Sequence, residues 1–372
     1  MPSIATRGAL SAKGYGFGMG GPSGPFLWAW GKNSQGQLGL GNVTTYSSPK
    51  QVGALTTWLT IAGGVYSSIA VKTDGSLWSW GNNDVGQLGL GNVTYYSSPK
   101  QVGALTNWKA IAGQGGSTIA TKTDGTLWAW GNNNWGQLGL GNITYRSSPV
   151  QVGALTTWKA IAGGYNYTIA VQTNGTLWSW GRNFHGNLGL GNITNYSSPK
   201  QVGALMTWKT IACGYYHTIA VKTDGSLWTW GAGTSGGLGL GNVTYYSSPK
   251  QVGALTTWLT IAGGVYSSIA VKTDGSLWSW GNNDVGRLGL GNITNYSSPK
   301  QVGALTNWLN IVSGYNHTMA IKTNGSLWTW GGNGVGQLGL GNITNYSSPK
   351  QVGALTTWKT IACGRNHTIA MG

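Results

Sequence analysis

The stretch Leu-Trp-x-Trp-Gly begins at Leu27, Leu77, Leu127, Leu177, Leu227, Leu277 and Leu327, so one unit recurs every 50 residues without a slip. A strict repeat of this kind commits the chain to a stacked array, because a single unit cannot cover its own apolar surface. Two indoles at alternate positions of a strand face the same way, and only a neighbouring copy can bury them. The composition supports the reading: 65 Gly, 22 Trp and 17 Tyr with only 8% charged residues describe a turn-rich β protein. Disordered chains lack such aromatics.

Turn signals divide each unit into strands. In the second copy, Trp58 to Gly63 is a short apolar run and Ser67 to Thr73 alternates. Asp74-Gly75 then closes a hairpin, since both residues tolerate positive φ. Ser76 to Gly81 is a third strand, and after a long glycine-rich loop Pro99 to Val102 forms a fourth, outer one, where proline is tolerated at an edge. Six such hairpin turns (Asp74, Asp124, Asn174, Asp224, Asp274 and Asn324, each followed by Gly) stand against seven Leu-Trp-x-Trp-Gly strands. The missing turn is where the chain is cut. The array opens on a third strand at Phe26 to Gly31 and stops after a first and a second strand, Trp358 to Met371. Pairing those ends removes both exposed sheet edges. The expected fold is therefore all-β, a seven-bladed β-propeller of four-stranded antiparallel blades closed by pairing N-terminal and C-terminal half-blades. Residues 1–24 read as an extended Gly/Ala/Ser-rich N-terminal arm and residues 25–372 as the propeller.

The pattern W-x-x-I-A-x-G-x-x-H-T-x-A, K-T-D-G-x-L-W-x-W-G, G-Q-L-G-L-G-N resembles the regulator of chromosome condensation repeat and covers residues 26 to 371. That family includes a nuclear guanine-nucleotide exchange factor that binds chromatin and bacterial secreted propellers such as a β-lactamase inhibitor. The resemblance implies a propeller, and for the exchange factor a protruding β-hairpin wedge, for which the uniform 50-residue repeats leave no candidate insertion. The arm motif SAKGYGFG is similar to short N-terminal segments of phage virion-associated proteins. Copies two and six differ only at Gln87/Arg287, Val93/Ile293 and Tyr95/Asn295, which points to recent duplication and suits a rapidly changing surface protein.

Chemistry is sparse. Against 22 Lys+Arg there are six acidic residues, all Asp, giving a net charge of +16. That balance favours polyanions such as nucleic acid, yet the lysines recur with the repeat and spread the charge evenly, which serves solubility equally well. Asp74, Asp124, Asp224 and Asp274 belong to hairpin turns, and Asp84 and Asp284 to loops of near-duplicate copies, so no acid/base pair is expected and the chain reads as no enzyme. His217, His317 and His367 share one repeat position and read as structural; different blades separate them, against a shared metal. Cys213 and Cys363 lie three repeats apart, nearly opposite in a closed ring, which argues against a disulfide between them. Gly231 to Gly236 matches G-x-G-x-x-G but leads into no helix that could hold a phosphate. No catalytic residue, cofactor or metal site follows from the sequence. No run approaches a membrane-spanning length, and the N-terminus lacks the continuous apolar stretch of a cleaved secretory signal.

The copies differ mainly in two loops, between the first and second strands and between the third and fourth, which leave a blade on the same side. These loops carry Tyr66, Trp135, Tyr165, Tyr167, Arg182, Phe184, His185, Tyr215, Tyr216, Tyr315 and Arg365, types enriched at binding hot spots. In the arm, Arg7, Lys13, Tyr15 and Phe17 are the candidate anchor. The expectation is a non-enzymatic binding or structural propeller on a phage virion or external surface, in contact with other virion or surface proteins through the arm and with a host surface protein or glycan through the loop face. The alternative is an intracellular, cytoplasmic adaptor or an exchange and chromatin-binding propeller, for which nucleic acid is a partner.

Overall fold

The computed structural model describes residues 25–113 and 115–372. Its strands form seven four-stranded antiparallel sheets. The second blade is representative: Trp58–Gly63, Ser67–Lys72, Leu77–Gly81 and Tyr96–Gln101 run from the axis outward. First strands of successive blades touch all the way round, Thr360–Cys363 lying beside Trp58–Gly63, so the array is a closed ring.

The closing blade joins the two ends of the chain. Its order is Tyr46–Gln51, Leu27–Gly31, His367–Met371, Thr360–Cys363. Leu27 pairs with Met371 and Gly31 with His367, and Phe26 and Gly372 exchange backbone hydrogen bonds of 3.0 and 3.2 Å. The count of hairpin turns against tryptophan strands thus predicted the closure correctly.

The outer strand begins earlier than the sequence suggests, at Tyr96 rather than Pro99. Tyr96 pairs with Gly81 and Lys100 with Ser79, with a register shift between them. Pro99 falls inside that bulge, where its missing N–H breaks no ladder bond.

Burial lies between blades. One cluster joins Leu27, Leu38 and Ile369 of the closing blade to Trp58, Ile61 and Trp80 of the next. The two indoles of Leu-Trp-x-Trp-Gly therefore have different fates. Trp80 is fully buried and donates from Nε1 to the Gln37 carbonyl of the preceding blade at 2.9 Å. Trp78 is half-buried, with Lys72 Nζ 3.7 Å from its ring centroid. Gly39 explains the glycines of G-Q-L-G-L-G-N: it holds φ +74°, and a Cβ there would lie 2.7 Å from Trp80 Nε1. No side chain larger than hydrogen fits against that indole.

Buried hydroxyls and imidazoles tie the blades further. His217, His317 and His367 are fully buried, and their Nε2 atoms lie 2.9, 3.2 and 3.1 Å from Ser268 Oγ, Thr368 Oγ1 and Ser68 Oγ of the adjoining blade. The structural role expected for them holds, through a hydroxyl across the seam.

Candidate functional site

Loops from both variable sets meet on one face. In six blades the loop between first and second strands turns on a glycine, as at Gly64, where the third blade has Gln114, and the two residues that follow differ from blade to blade; the loop from the third strand folds over it. On the opposite face the hairpin turns pack against the near-invariant connections, as where Trp108 N donates to Gly75 O at 3.1 Å. Asp74 is held within its turn, accepting from Ser76 N (2.8 Å) and Ser76 Oγ (2.6 Å), and these bonds hold its carboxyl below the usual range. Asp124, Asp224 and Asp274 are bound alike. Asp84 accepts from Gln87 at 3.0 Å, and Asp284 pairs with Arg287. No two carboxylates are set to share acid/base work, and among the described residues no group of three metal-ligating side chains gathers.

The sequence-predicted residues fall into two linked clusters. Around the mouth of the central channel, Tyr165 stacks on Tyr215 with centroids 4.1 Å apart and planes at 13°. Tyr215 meets Tyr315 edge-on at 5.4 Å. The Arg365 guanidinium sits 4.5 Å from the Tyr315 centroid and donates to Tyr66 Oη at 3.1 Å. Burial, with neighbouring phenols, pushes the Tyr215 hydroxyl well above its ordinary pKa. Farther out, Trp135 and Phe184 meet at 4.9 Å, Arg182 lies 4.9 Å from Phe184, and His185 packs on Tyr216 at 4.9 Å. Desolvation and the Arg182 charge lower the His185 pKa. Tyr215 and Tyr216, at 5.1 Å, join the two clusters.

Tyr167 does not belong to this face. It is fully buried, and its Oη donates to the carbonyl oxygens of Gly214 (3.2 Å) and His217 (2.5 Å) of the next blade. It begins the second strand at the position His217 occupies in its own repeat, and does the same inter-blade work. Arg7, Lys13, Tyr15 and Phe17 of the arm lie outside the described residues. Two contributors escaped the sequence reading. Tyr266 lies 5.6 Å from Tyr216, and Tyr245 lies 5.5 Å from His185. The signal for Tyr266 was its equivalence to Tyr66.

The channel encloses about 300 Å³ and is lined by first-strand residues including Ile61, Ile111, Ile161 and Ile211. Cys213 and Cys363, both free, also face it, and burial pushes each thiol up to about 12. Thiols held protonated in this way are poor nucleophiles. No helix is long and apolar enough to cross a membrane among the described residues.

The chain is a closed seven-bladed propeller whose repeats share one scaffold and differ mainly in the loops of one face. The RCC1-like domain family matches residues 26–264, and the regulator of chromosome condensation (RCC1) repeat matches residues 274–321 and 324–371. The chain belongs to this family. Among solved structures, yeast RCC1 (Prp20), crystallised bound to Kap60, aligns with TM-score 0.85 at 21% identity over 94% of this chain and 89% of that one. Prp20p from Saccharomyces cerevisiae aligns with TM-score 0.85 at 21% identity over 98% and 93%. Human WBSCR16 aligns with TM-score 0.85 at 20% identity over 94% and 99%. At these identities the likeness is one of fold. No curated protein sequence matches the chain.

Proposed function

We propose that the chain is a non-enzymatic adaptor of the regulator of chromosome condensation type, which holds a protein partner against its variable loop face. The observation that carries this is the connected cluster of Tyr165, Tyr215, Tyr315, Arg365, Arg182 and Phe184, assembled from four blades of an otherwise repeating scaffold. Rigid aromatic rings and guanidinium groups supply large contact area at small entropic cost, and such residues dominate binding energy where they cluster. The carboxylates are bound in turns or to loop partners, which supports recognition over catalysis.

Protein binding also marks related proteins: yeast RCC1 (Prp20) was solved bound to Kap60, and Prp20p was described with its binding properties to Gsp1p and histones. Those relations favour the intracellular adaptor over a virion or external-surface component, for which neither the fold nor the likenesses offer support. Exchange activity has less behind it, because every described blade keeps the same loop lengths and none carries an extra hairpin.

The test uses the full chain as immobilised bait, with quantitative mass spectrometry of what it captures and nucleotide release from small GTPases as a parallel arm. Combined replacement of Arg182, Tyr215 and Arg365 by Ala removes hot-spot contacts worth at least 2 kcal/mol, so retention of the specific partner is expected to fall about 30-fold or more. Replacement of Leu155 and Leu205, exposed on the opposite face, by Ser is the control and leaves retention unchanged. The opposite pattern, loss with the leucine variant and retention with the loop variant, contradicts the proposal.

A further inference from the structure

In the third blade the two variable loop positions hold Gly115-Gly116, where the other blades hold Val65-Tyr66, Tyr165-Asn166, Tyr215-Tyr216, Val265-Tyr266, Tyr315-Asn316 and Arg365-Asn366. It is the one blade with no side chain at either place. The consequence is a notch of about 400 Å³ between Tyr66 and Tyr165, floored by Gly115 and Gly116 and bounded outward by Trp135 and Asp84. The volume falls within the range of small-ligand sites. It is made by missing atoms in one blade, and no other blade has glycine at both places.

The chemistry of its wall is specific. Tyr165 is stacked on Tyr215, while its Cδ2–Cε2 edge borders Gly115, 2.9 and 3.2 Å from where a Cβ would stand. Trp135 is braced edge-on by Phe184. Both rings are therefore fixed before any ligand arrives. Between them stand two amides ordered from beneath: buried Gln137 donates through Nε2 to Asn132 Oδ1 (2.8 Å) and to Asn166 Oδ1 (3.3 Å). With their oxygens held, Asn166 Nδ2 and the second N–H of Asn132 Nδ2, whose first goes to Tyr145 Oη at 3.5 Å, serve as donors. Asn166 takes φ +66°, a conformation its counterparts Asn316 and Asn366 do not share; such backbone recurs where a side chain is held for a purpose. Asp84 accepts one bond from Gln87 and has a second oxygen as an acceptor. Arg365 donates to Tyr66 Oη, and its buried Nε has no partner.

Fixed aromatic surfaces beside ordered amide donors and a carboxylate acceptor match a polyol ring. A pyranose has C–H groups that lie on aromatic rings, and neighbouring hydroxyls that both donate and accept. A phosphate or nucleic-acid strand would face Asp84, since among the described lining residues Arg365 is the one cation and Lys32 and Arg182 lie against the wall rings Tyr66 and Trp135; an apolar peptide anchor would bury against amides. We propose that the Gly115–Gly116 notch binds a neutral hexopyranose unit of a glycan. The inference rests on the reading of the variable loop face as the recognition surface, and makes one sector of that face the site for a sugar, carried on the partner or presented alone.

Gly116 supplies a clean test. Its φ is not left-handed, and an added Cβ would meet Asn132 Cβ and Val85 Cγ2 at an ordinary 3.5 Å. Gly116→Tyr installs the side chain that Tyr66, Tyr216 and Tyr266 already carry at this position, and fills the notch. Gly116→Ala leaves it open. Biolayer interferometry would use albumin conjugated with glucose, galactose, mannose or N-acetylglucosamine, with free monosaccharide as competitor and the near-ultraviolet circular dichroism of the tryptophans as the fold check. The expected result is saturable, competable binding to at least one conjugate, retained by Gly116→Ala and reduced at least tenfold by Gly116→Tyr and by Trp135→Ala. Binding to no conjugate, or binding that Gly116→Tyr leaves within twofold, overturns the proposal. So does capture only of an anionic polymer such as heparin, salt-sensitive and indifferent to Gly116→Tyr. Partner capture measured in parallel separates the readings: a Gly116→Tyr protein that keeps its partner while no sugar binds sinks the sugar site alone.

Discussion

Acidification from pH 7 to pH 4 is expected to remove on the order of 10 kcal/mol of folding stability, most of it from His217, His317 and His367. Burial lowers their pKa values to about 4, 3 and 4, with the charge of His367 adding to the effect at His317. In the unfolded chain each returns to about 6.5. A depressed folded pKa gives stability that is complete above the unfolded value and is lost as pH falls through the window from about 6.5 toward 4 or 3. The unfolded chain takes up three protons there that the folded ring refuses. Urea titrations followed by tryptophan fluorescence at pH steps from 7.5 to 4 should show the midpoint falling steeply below pH 6. His217, His317 and His367 replaced together by Ser, the residue at Ser67, Ser117 and Ser267, should flatten that dependence. An unchanged slope in the triple variant would place the acid sensitivity elsewhere.

Trp80→Ala is expected to cost about 3–5 kcal/mol, and Trp78→Ala only about 1–2 kcal/mol, although the two belong to one motif. Trp80 has no exposed surface and fills the seam between the closing and second blades. Its removal leaves a cavity against Gly39 and takes one of the two donors to the Gln37 carbonyl, the other being Ser68 Oγ at 2.7 Å. Trp78 is half-exposed, and loses a bond to Ser76 Oγ (2.9 Å) and its contact with Lys72. The same titrations at pH 7.5 measure both. Equal costs would mean that the inner indole is not the inter-blade wedge.

The architecture was legible because its evidence is local and periodic. Asp74-Gly75 and its five counterparts mark hairpins within a few residues, and counting them against the tryptophan strands locates the cut blade. What was not legible depends on atoms from another blade. Tyr167 reads as a loop aromatic beside Tyr165, and only the carbonyls of Gly214 and His217, from the next blade, make it core. The outer strand was shortened because Pro99 reads as an edge start, whereas the bulge that accommodates it is set by pairing of Tyr96 with Gly81. The variable face was visible as divergence among copies, but its geometry was not. Gly115-Gly116 looked like one more variant loop, and its notch exists through the neighbours Tyr66 and Tyr165. The charge pattern gave a true count and no location.

On the proposed function the scaffold closes the ring and the differences among copies carry recognition; one measurement separates these two roles. In a levelled chain, both variable loops of every blade take the second blade's residues, Val65-Tyr66 and Asn82 to Val85. Thermal unfolding and partner capture would then be compared with the native chain. A levelled protein that unfolds as one cooperative ring within a few degrees of the native chain, yet captures none of its partner, is the predicted result. A levelled protein that still captures the partner at native strength would contradict the account, because recognition would then reside in the repeat itself.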